Sequence, residues 1–288
     1  AWARKKEPRR FTASSRLSSG EAGLQTSVSL SGVDRIYDRF IEAQILDATT
    51  SEGYCQTRSD VLGQVEILFN ETAESGLGND LVHFWNAWGS LASEPSGLVE
   101  RNALISAADT LASGIGDRCQ SLQSLRADVG EAVVETVAKI NSLAADVASL
   151  NDRIVSISMS GGGVNDLLDK RAAALNDLAQ LLPIQSVEVA DGSVNVFTAG
   201  GEMLVGSKDS RSLSAIGTDI VFSGVPGVPL NDRIGSGRLG ALLELRDGTL
   251  PGYMNRLDQL ATALVTEVNA IHANGVDATG APVVGTRF

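Results

Sequence analysis

The chain has 288 residues, 43% of them hydrophobic and 20% charged, with 30 Gly, 7 Pro, 2 Cys and 2 His. That length supports one large domain or two ordinary ones with a full-sized core, and the apolar content excludes a disordered chain. Lys and Arg number 23 against 35 Asp and Glu, a net charge of −12. Such a balance argues against binding nucleic acid through the general surface, because phosphate affinity comes from basic side chains displacing counterions. The charge is uneven: residues 1–20 carry +5 and the rest −17. Two cysteines cannot build a disulfide framework, and two histidines leave little for metal or acid–base chemistry. No stretch reaches the roughly 18–20 apolar residues of a membrane helix, and no apolar run follows the basic N-terminal residues as a secretory signal requires. The chain opens on Ala1-Trp2 without an initiator Met and stops at Arg287-Phe288, as a trimmed stretch of a longer protein would.

Residues 1–32 read as an extended arm, with one strand where Thr26-Ser27-Val28-Ser29-Leu30 alternates polar and apolar. From Val33 the period becomes helical. Ile36, Tyr37, Phe40 and Ile41 share a face, and Gly53-Tyr54 is expected to break that helix. A second helix carries Val61, Leu62, Val65, Leu68 and Phe69, with Gly76 as its stop signal. A third runs from Leu77 through Phe84, Trp85 and Trp88 to the Glu94-Pro95 boundary. A fourth starts near Leu98, weakened by Gly114 and Gly116. The clearest signal is Val129 to Ile157, where Ile140, Leu143, Val147, Leu150, Ile154 and Ile157 follow a coiled-coil seam at spacings of 3, 4, 3, 4 and 3. Gly161-Gly162-Gly163 stops it, and a helix bearing Leu167, Leu168, Leu175, Leu178 and Leu182 folds back as an α-hairpin that ends at Pro183.

Residues 184–236 change character. Short alternating runs around Val187, Val194, Val196, Leu204, Val205, Ile220 and Phe222 are punctuated by Asp191-Gly192, Gly200-Gly201 and Pro226-Gly227, the pattern of β-hairpins. Helical period returns after about residue 239, and that last helix must lie along the earlier bundle to bury its own seam. The expected fold is mainly α with a β insertion (α+β), an elongated helical bundle with long coiled-coil-like helices and a small β domain. The expected divisions are an arm over 1–32, a helical bundle over 33–183, a β insertion over 184–236, and a returning helix with extended tail over 237–288.

Motifs that suggest chemistry lack the context it needs. Gly235-Ser236-Gly237-Arg238-Leu239-Gly240 matches G-x-G-x-x-G, but no buried strand precedes it, and Asp258 lies on a helix instead of a strand end. Gly161-Gly162-Gly163 has no Gly-Lys-Ser/Thr and reads as an interhelical turn; Asp166 and Asp169 then suit a helix N-terminus. His83 and His272 have no Cys or acid cluster at ligand spacing. No Ser sits in a G-x-S-x-G elbow. Cys55 and Cys119 read as separate small apolar fillers, with a lone bridge as the alternative. Trp85 and Trp88 are placed in the core, with a partner anchor as the alternative. Asn70-Glu71-Thr72 is a formal glycosylation sequon set in a helix. No catalytic, cofactor-binding or metal residue is expected. The reading is a scaffold.

Several segments then become recognisable. Ser31-Gly32-Val33-Asp34-Arg35-Ile36-Tyr37-Asp38-Arg39-Phe40-Ile41-Glu42-Ala43-Gln44 resembles the first bundle helix of the flagellar hook-associated protein 1 (FlgK) family. In the same order come Phe84-Trp85-Asn86-Ala87-Trp88; Ile140-Asn141 with Leu150-Asn151; Asn165-Asp166-Leu167-Leu168-Asp169-Lys170-Arg171; and Arg238-Leu239-Gly240-Ala241-Leu242-Leu243-Glu244-Leu245-Arg246-Asp247. Leu257-Asp258-Gln259-Leu260-Ala261 and Val268-Asn269-Ala270-Ile271-His272 complete the set.

The resemblance implies a non-enzymatic structural component of the bacterial flagellum, set between hook and filament in a ring of about eleven copies. Its implied partners are the hook protein, hook-associated protein 3, itself and a cytoplasmic export chaperone, with no nucleic acid, no membrane insertion and no cofactor. Export through the flagellar type III system and an extracellular place on the flagellum follow from the same resemblance. The family's heptad segments at both ends are not matched here; only Ala1-Trp2-Ala3-Arg4-Lys5 remains of the first, with Trp2 at the Tyr position of an Asn-Thr-x-Gly-Tyr-x-Arg-type motif. This stretch alone is therefore expected to be monomeric. Hook-associated protein 3 and flagellin share the architecture, but the Asn-Asp-Leu-Leu-Asp-x-Arg and Leu-x-Glu-Leu-Arg-Asp runs favour the first family. The rival classes are an adhesin-like module using the β insertion and an enzyme using the Gly235–Gly240 loop.

Overall fold

The computed structural model describes residues 39–70, 76–160, 162–225 and 227–276. The arm and strand expected over 1–32, and most of the extended tail, lie outside the described residues.

Helix α1 (Arg39–Leu68) is continuous. Its buried positions, Leu46, Thr50, Gly53, Thr57, Val61 and Val65, recur every three or four residues and so line one face. The break expected at Gly53 is absent, and the two helices expected on either side of it are one. Gly53 serves close approach instead: a β-carbon there would collide with the carbonyl oxygen of Gln180. Beside it, Thr50 Oγ1 donates to the carbonyls of Leu46 and Ala179, both at 2.8 Å, which lets a hydroxyl lie buried between two helices. Gly76 is no stop signal either. It precedes α2 (Leu77–Ser93) with φ 130, a conformation open to glycine.

Helix α3 (Leu98–Met159) runs for 62 residues, about 93 Å at 1.5 Å per residue. The sequence predicts a helix from Leu98 weakened at Gly114 and Gly116. In the structure Gly116 lies on the exposed face with open space around it, so the glycines weaken the helix locally without interrupting its buried stripe. Leu111, Leu122, Leu125, Val129, Val133, Val137, Ile140, Val147 and Ile154 are buried along that stripe. Helix α4 (Asn165–Leu181) turns back along α3 as the expected hairpin, burying Leu167, Leu178 and Ala179.

Six strands follow: β1 (Ile184–Glu188), β2 (Val194–Thr198), β3 (Met203–Gly206), β4 (Asp209–Ser210), β5 (Leu213–Ile216) and β6 (Asp219–Phe222). The first four form one antiparallel sheet in chain order, with a register shift between Val196 and Phe197; β5 and β6 form a separate hairpin. Gly192 and Gly201 take φ of 87 and 86, as the Asp-Gly and Gly-Gly turns require. Both sheets rest on α3, and their buried Val196, Leu204, Val205, Leu213 and Ile220 join the helical core.

A short 3₁₀ turn (Asn231–Arg233) leads into α5 (Gly237–Glu244), a single π-helical turn (Leu245–Thr249) and α6 (Leu250–His272). Helix α6 returns along α3 and buries Leu250, Leu257 and Val268. The π-turn has no counterpart among the elements that the sequence pattern predicts. It is held by contacts from distant segments, which local periodicity does not encode.

Candidate functional site

The β unit is fastened to the bundle by asparagine side chains that act as substitute strands. Asn141 on α3 donates from Nδ2 to the carbonyl of Leu213 at 2.8 Å and accepts from the Leu213 N–H at 2.7 Å. It thereby pairs the outer edge of β5, which has a strand on its other side alone. Asn151, 0% exposed, does the same for Val194 of β2, with Nδ2 to the carbonyl at 2.8 Å and Oδ1 to the N–H at 3.1 Å. Its Nδ2 also reaches the carbonyl of Ser207 at 2.6 Å.

Arg171 on α4, only 5% exposed, completes this seam. Its Nη1 donates to Asn151 Oδ1 at 3.0 Å and to the carbonyl of Gly192 at 2.7 Å, so one guanidinium spans α3 and the β1–β2 turn. The turn is itself ordered by Asp191, which accepts from the hydroxyl and N–H of Ser193. Those two donors hold the Asp191 carboxyl below the usual range.

A second polar centre surrounds the π-turn. Glu244 accepts from Tyr54 Oη at 2.6 Å, Arg58 Nη1 at 3.1 Å and Thr249 Oγ1 at 2.9 Å, which ties α1 to the returning helix. The hydrogen bond to Glu244, with burial, raises the Tyr54 phenol above its ordinary value. Arg246, 7% exposed, makes a bidentate pair with Asp247 at 2.8 and 2.7 Å and donates to the carbonyl of Thr218 at the β5–β6 turn at 2.6 Å. The carbonyl of Arg246 accepts from Arg126 Nε of α3 at 2.8 Å.

A third cluster closes the neck of the β unit. Glu202 accepts from the Thr198 hydroxyl and pairs with Arg233 of the 3₁₀ turn, bringing the outgoing chain against β2 and β3. The Thr198 hydroxyl is the main cause holding the Glu202 carboxyl low, with Arg233 adding to it against the opposing effect of burial. Asn231 caps β6 by accepting from the N–H of Ile220 and donating to the carbonyl of Thr218.

Elsewhere α2, α3 and α6 leave an apolar groove of about 370 Å³, lined by Phe84, Ala108, Leu111, Ile115, Leu264 and Val268 among others.

The glycines of the Gly235–Gly240 loop serve packing. Gly237 takes φ 70, and a β-carbon on it would come within 2.8 Å of the Leu181 backbone; one on Gly240 would meet the carbonyl of Ile234 at 2.9 Å. Gly162 and Gly163 lie between α3 and α4, and Asp166 pairs with Lys170 on an exposed face. His83 is exposed and His272 half-buried; among the described residues no three His, Cys, Asp or Glu side chains gather at metal-binding distance. Trp88 packs edge-on to Phe84, whereas Trp85 is 51% exposed, against the core placement expected for both. Both cysteines are free: Cys119 packs against the core, but Cys55 is exposed and fills nothing. Asn70 follows the end of α1 and not a helix interior; Glu71 and Thr72 lie outside the described residues. No described helix is long and apolar enough to cross a membrane.

Asn141, Asn151, Arg171, Glu244 and Arg246 all fall within the segments that carry the resemblance, but their spacing alone assigns them no role. The signal available was a polar residue directly beside a buried helical seam.

A long helical hairpin carrying a small β unit, whose buried polar groups join one element to another, is the build of a helical-bundle scaffold. The flagellar hook-associated protein FlgK helical domain matches residues 62–288, and the chain belongs to that family. The flagellar hook-associated protein 1 of Salmonella typhimurium is 31% identical over 266 residues, covering 88% of this chain and 48% of that protein. The protein of the same name from Bacillus subtilis is 25% identical over 302 residues, covering 94% of this chain and 60% of the relative. The solved flagellar hook junction protein FlgK from Burkholderia pseudomallei superposes with a TM-score of 0.74 at 29% identity, over 83% of this chain and 45% of that one. The chain thus spans about half the length of the Salmonella relative.

Proposed function

We propose that this chain is the helical and β-insertion part of a structural subunit at the junction between flagellar hook and filament. The observation that carries the reading is the joint match in sequence and fold to the Burkholderia hook junction protein, with a TM-score of 0.74 at 29% identity. Physically, a helix of 62 residues supplies axial stiffness, and its packing against α4 and α6 stiffens it further. The seams at Asn141 and Asn151 let the β unit move with that helix, so that a twist applied to one is felt by the other. The role is non-enzymatic and needs no cofactor. On this reading residues 33–183 and 237–288 belong to one bundle, and 184–236 form an insertion into it. The neighbours are the hook protein, hook-associated protein 3 and further copies of the same subunit in a ring of about eleven. Export uses the flagellar type III route with a cytoplasmic chaperone, and the protein works outside the cell.

In-frame deletion of the gene in its source bacterium tests this. The expected phenotype is cells with hooks but without attached filaments, and with filament protein lost to the medium. Intact, motile filaments after the deletion would refute the proposal.

A further inference from the structure

We propose that the π-turn at Leu245–Thr249 is a register hinge that couples the β5–β6 hairpin to helix α6. A π-turn holds one residue more than an α-helical turn, and isolated π-turns inside α-helices often sit at functional positions. Returning this turn to α-helical register would rotate everything downstream by about 100° about the helix axis. Leu250 and Leu257, buried against α3, would leave the core, and so would Leu264 and Val268, which line the apolar groove. The register of this one turn therefore sets the face that α6 shows to α2 and α3.

Three distant segments hold that register. Arg126 of α3 takes the carbonyl of Arg246 within the turn. Tyr54 and Arg58 of α1 hold Glu244, the residue just before it. The Arg246 side chain reaches the carbonyl of Thr218, between β5 and β6, while Asp247 neutralises it. Because Arg246 bonds the hairpin with its side chain and α3 with its carbonyl, a displacement of the hairpin pulls directly on the backbone of the turn. Gly248 faces solvent with open space around it, so the turn can change without a steric clash at that position. The hairpin and the α2–α3–α6 groove are thus two ends of one linkage. This coupling does not depend on the flagellar assignment.

Amide hydrogen exchange on the 288-residue chain, intact and as Arg246→Lys, tests it. Lysine keeps the charge but cannot hold Asp247 bidentately while reaching Thr218. The expected result is exchange faster by about tenfold or more in residues 213–222 and 250–272 together, with β1–β3 unchanged. Faster exchange in one of those segments alone, an equal rise that includes β1–β3, or no change would overturn the proposal. Should Arg246→Lys unfold the chain, Asp247→Asn loosens Arg246 without removing it and is read against the same outcomes.

Discussion

Arg171 of α4 and Asn151 of α3 meet at 3.0 Å beneath the β unit, the guanidinium donating to the same amide oxygen that accepts the N–H of Val194. One buried side chain therefore serves a helix, a strand and a cation together. Asn151→Ala removes one acceptor from Arg171, which keeps the Gly192 carbonyl, and takes the side-chain partner from both backbone groups of Val194 and from the Ser207 carbonyl. The expected cost is about 3–5 kcal/mol, the range for breaking a buried charged network by removing one member. Urea unfolding at constant pH reads it as a lower midpoint. Asn151→Asp is also destabilising, because a carboxylate keeps the partner for Arg171 but turns an acceptor toward the carbonyls of Val194 and Ser207.

Asn141 holds the edge of β5 through one strand residue, Leu213, and carries no buried cation. Asn141→Ala is expected to cost less, about 1–3 kcal/mol. Hydrogen exchange places the loss: protection falls at the Leu213 amide while β2 keeps its own.

One substitution at two helical glycines has opposite signs. Gly53→Ala drives a methyl group into the Gln180 carbonyl and is expected to destabilise by about 1–3 kcal/mol, despite the better helix propensity of alanine. Gly116→Ala meets open space on α3 and is expected to stabilise by about 0.5–1 kcal/mol. Thermal midpoints of the two variants, moving in opposite directions from the parent, check the pair.

Glu202 links the neck of the β unit to pH. Its folded-state pKa is depressed, chiefly by the Thr198 hydroxyl, so its contribution is complete above the unfolded glutamate value of about 4.3. That contribution is lost as pH falls through the lower folded value. Glu202→Gln removes the ionisation, so the stability difference between parent and variant is expected to shrink from pH 6 to pH 3 (roughly the span of carboxylate titration). Paired urea titrations across that range measure it; a constant difference would contradict the assignment.

How much of this could be read from the residues differs by element. The α3 seam shows in its spacing from Ile140 to Ile154 because burial repeats with the helical period. Leu150 and Ile157, expected on the same seam, are half-buried, and Asn151 is buried beside Leu150. The turns at Gly192 and Gly201 show because a positive φ favours glycine. Gly53 misleads for the same chemical reason: glycine marks either a break or a close approach, and the decision lies with Gln180, more than a hundred residues away. The β3–β4 turn misplaces its signal: the positive φ of 52 falls on Ser207 and not on the neighbouring Gly206. Asn141, Asn151 and Arg246 look like solvated helix residues until the strands that need their hydrogen bonds are placed beside them. The π-turn is hidden further, since Arg126, Thr218 and Tyr54 select it from three separate parts of the chain.

On the proposed function the protein stands between hook and filament. Immunogold electron microscopy of flagella from the source bacterium, with antibodies raised against the β unit, tests it most directly. The expected result is a single band of label where hook meets filament. Label along the whole filament, or over the cell surface away from flagella, would contradict it.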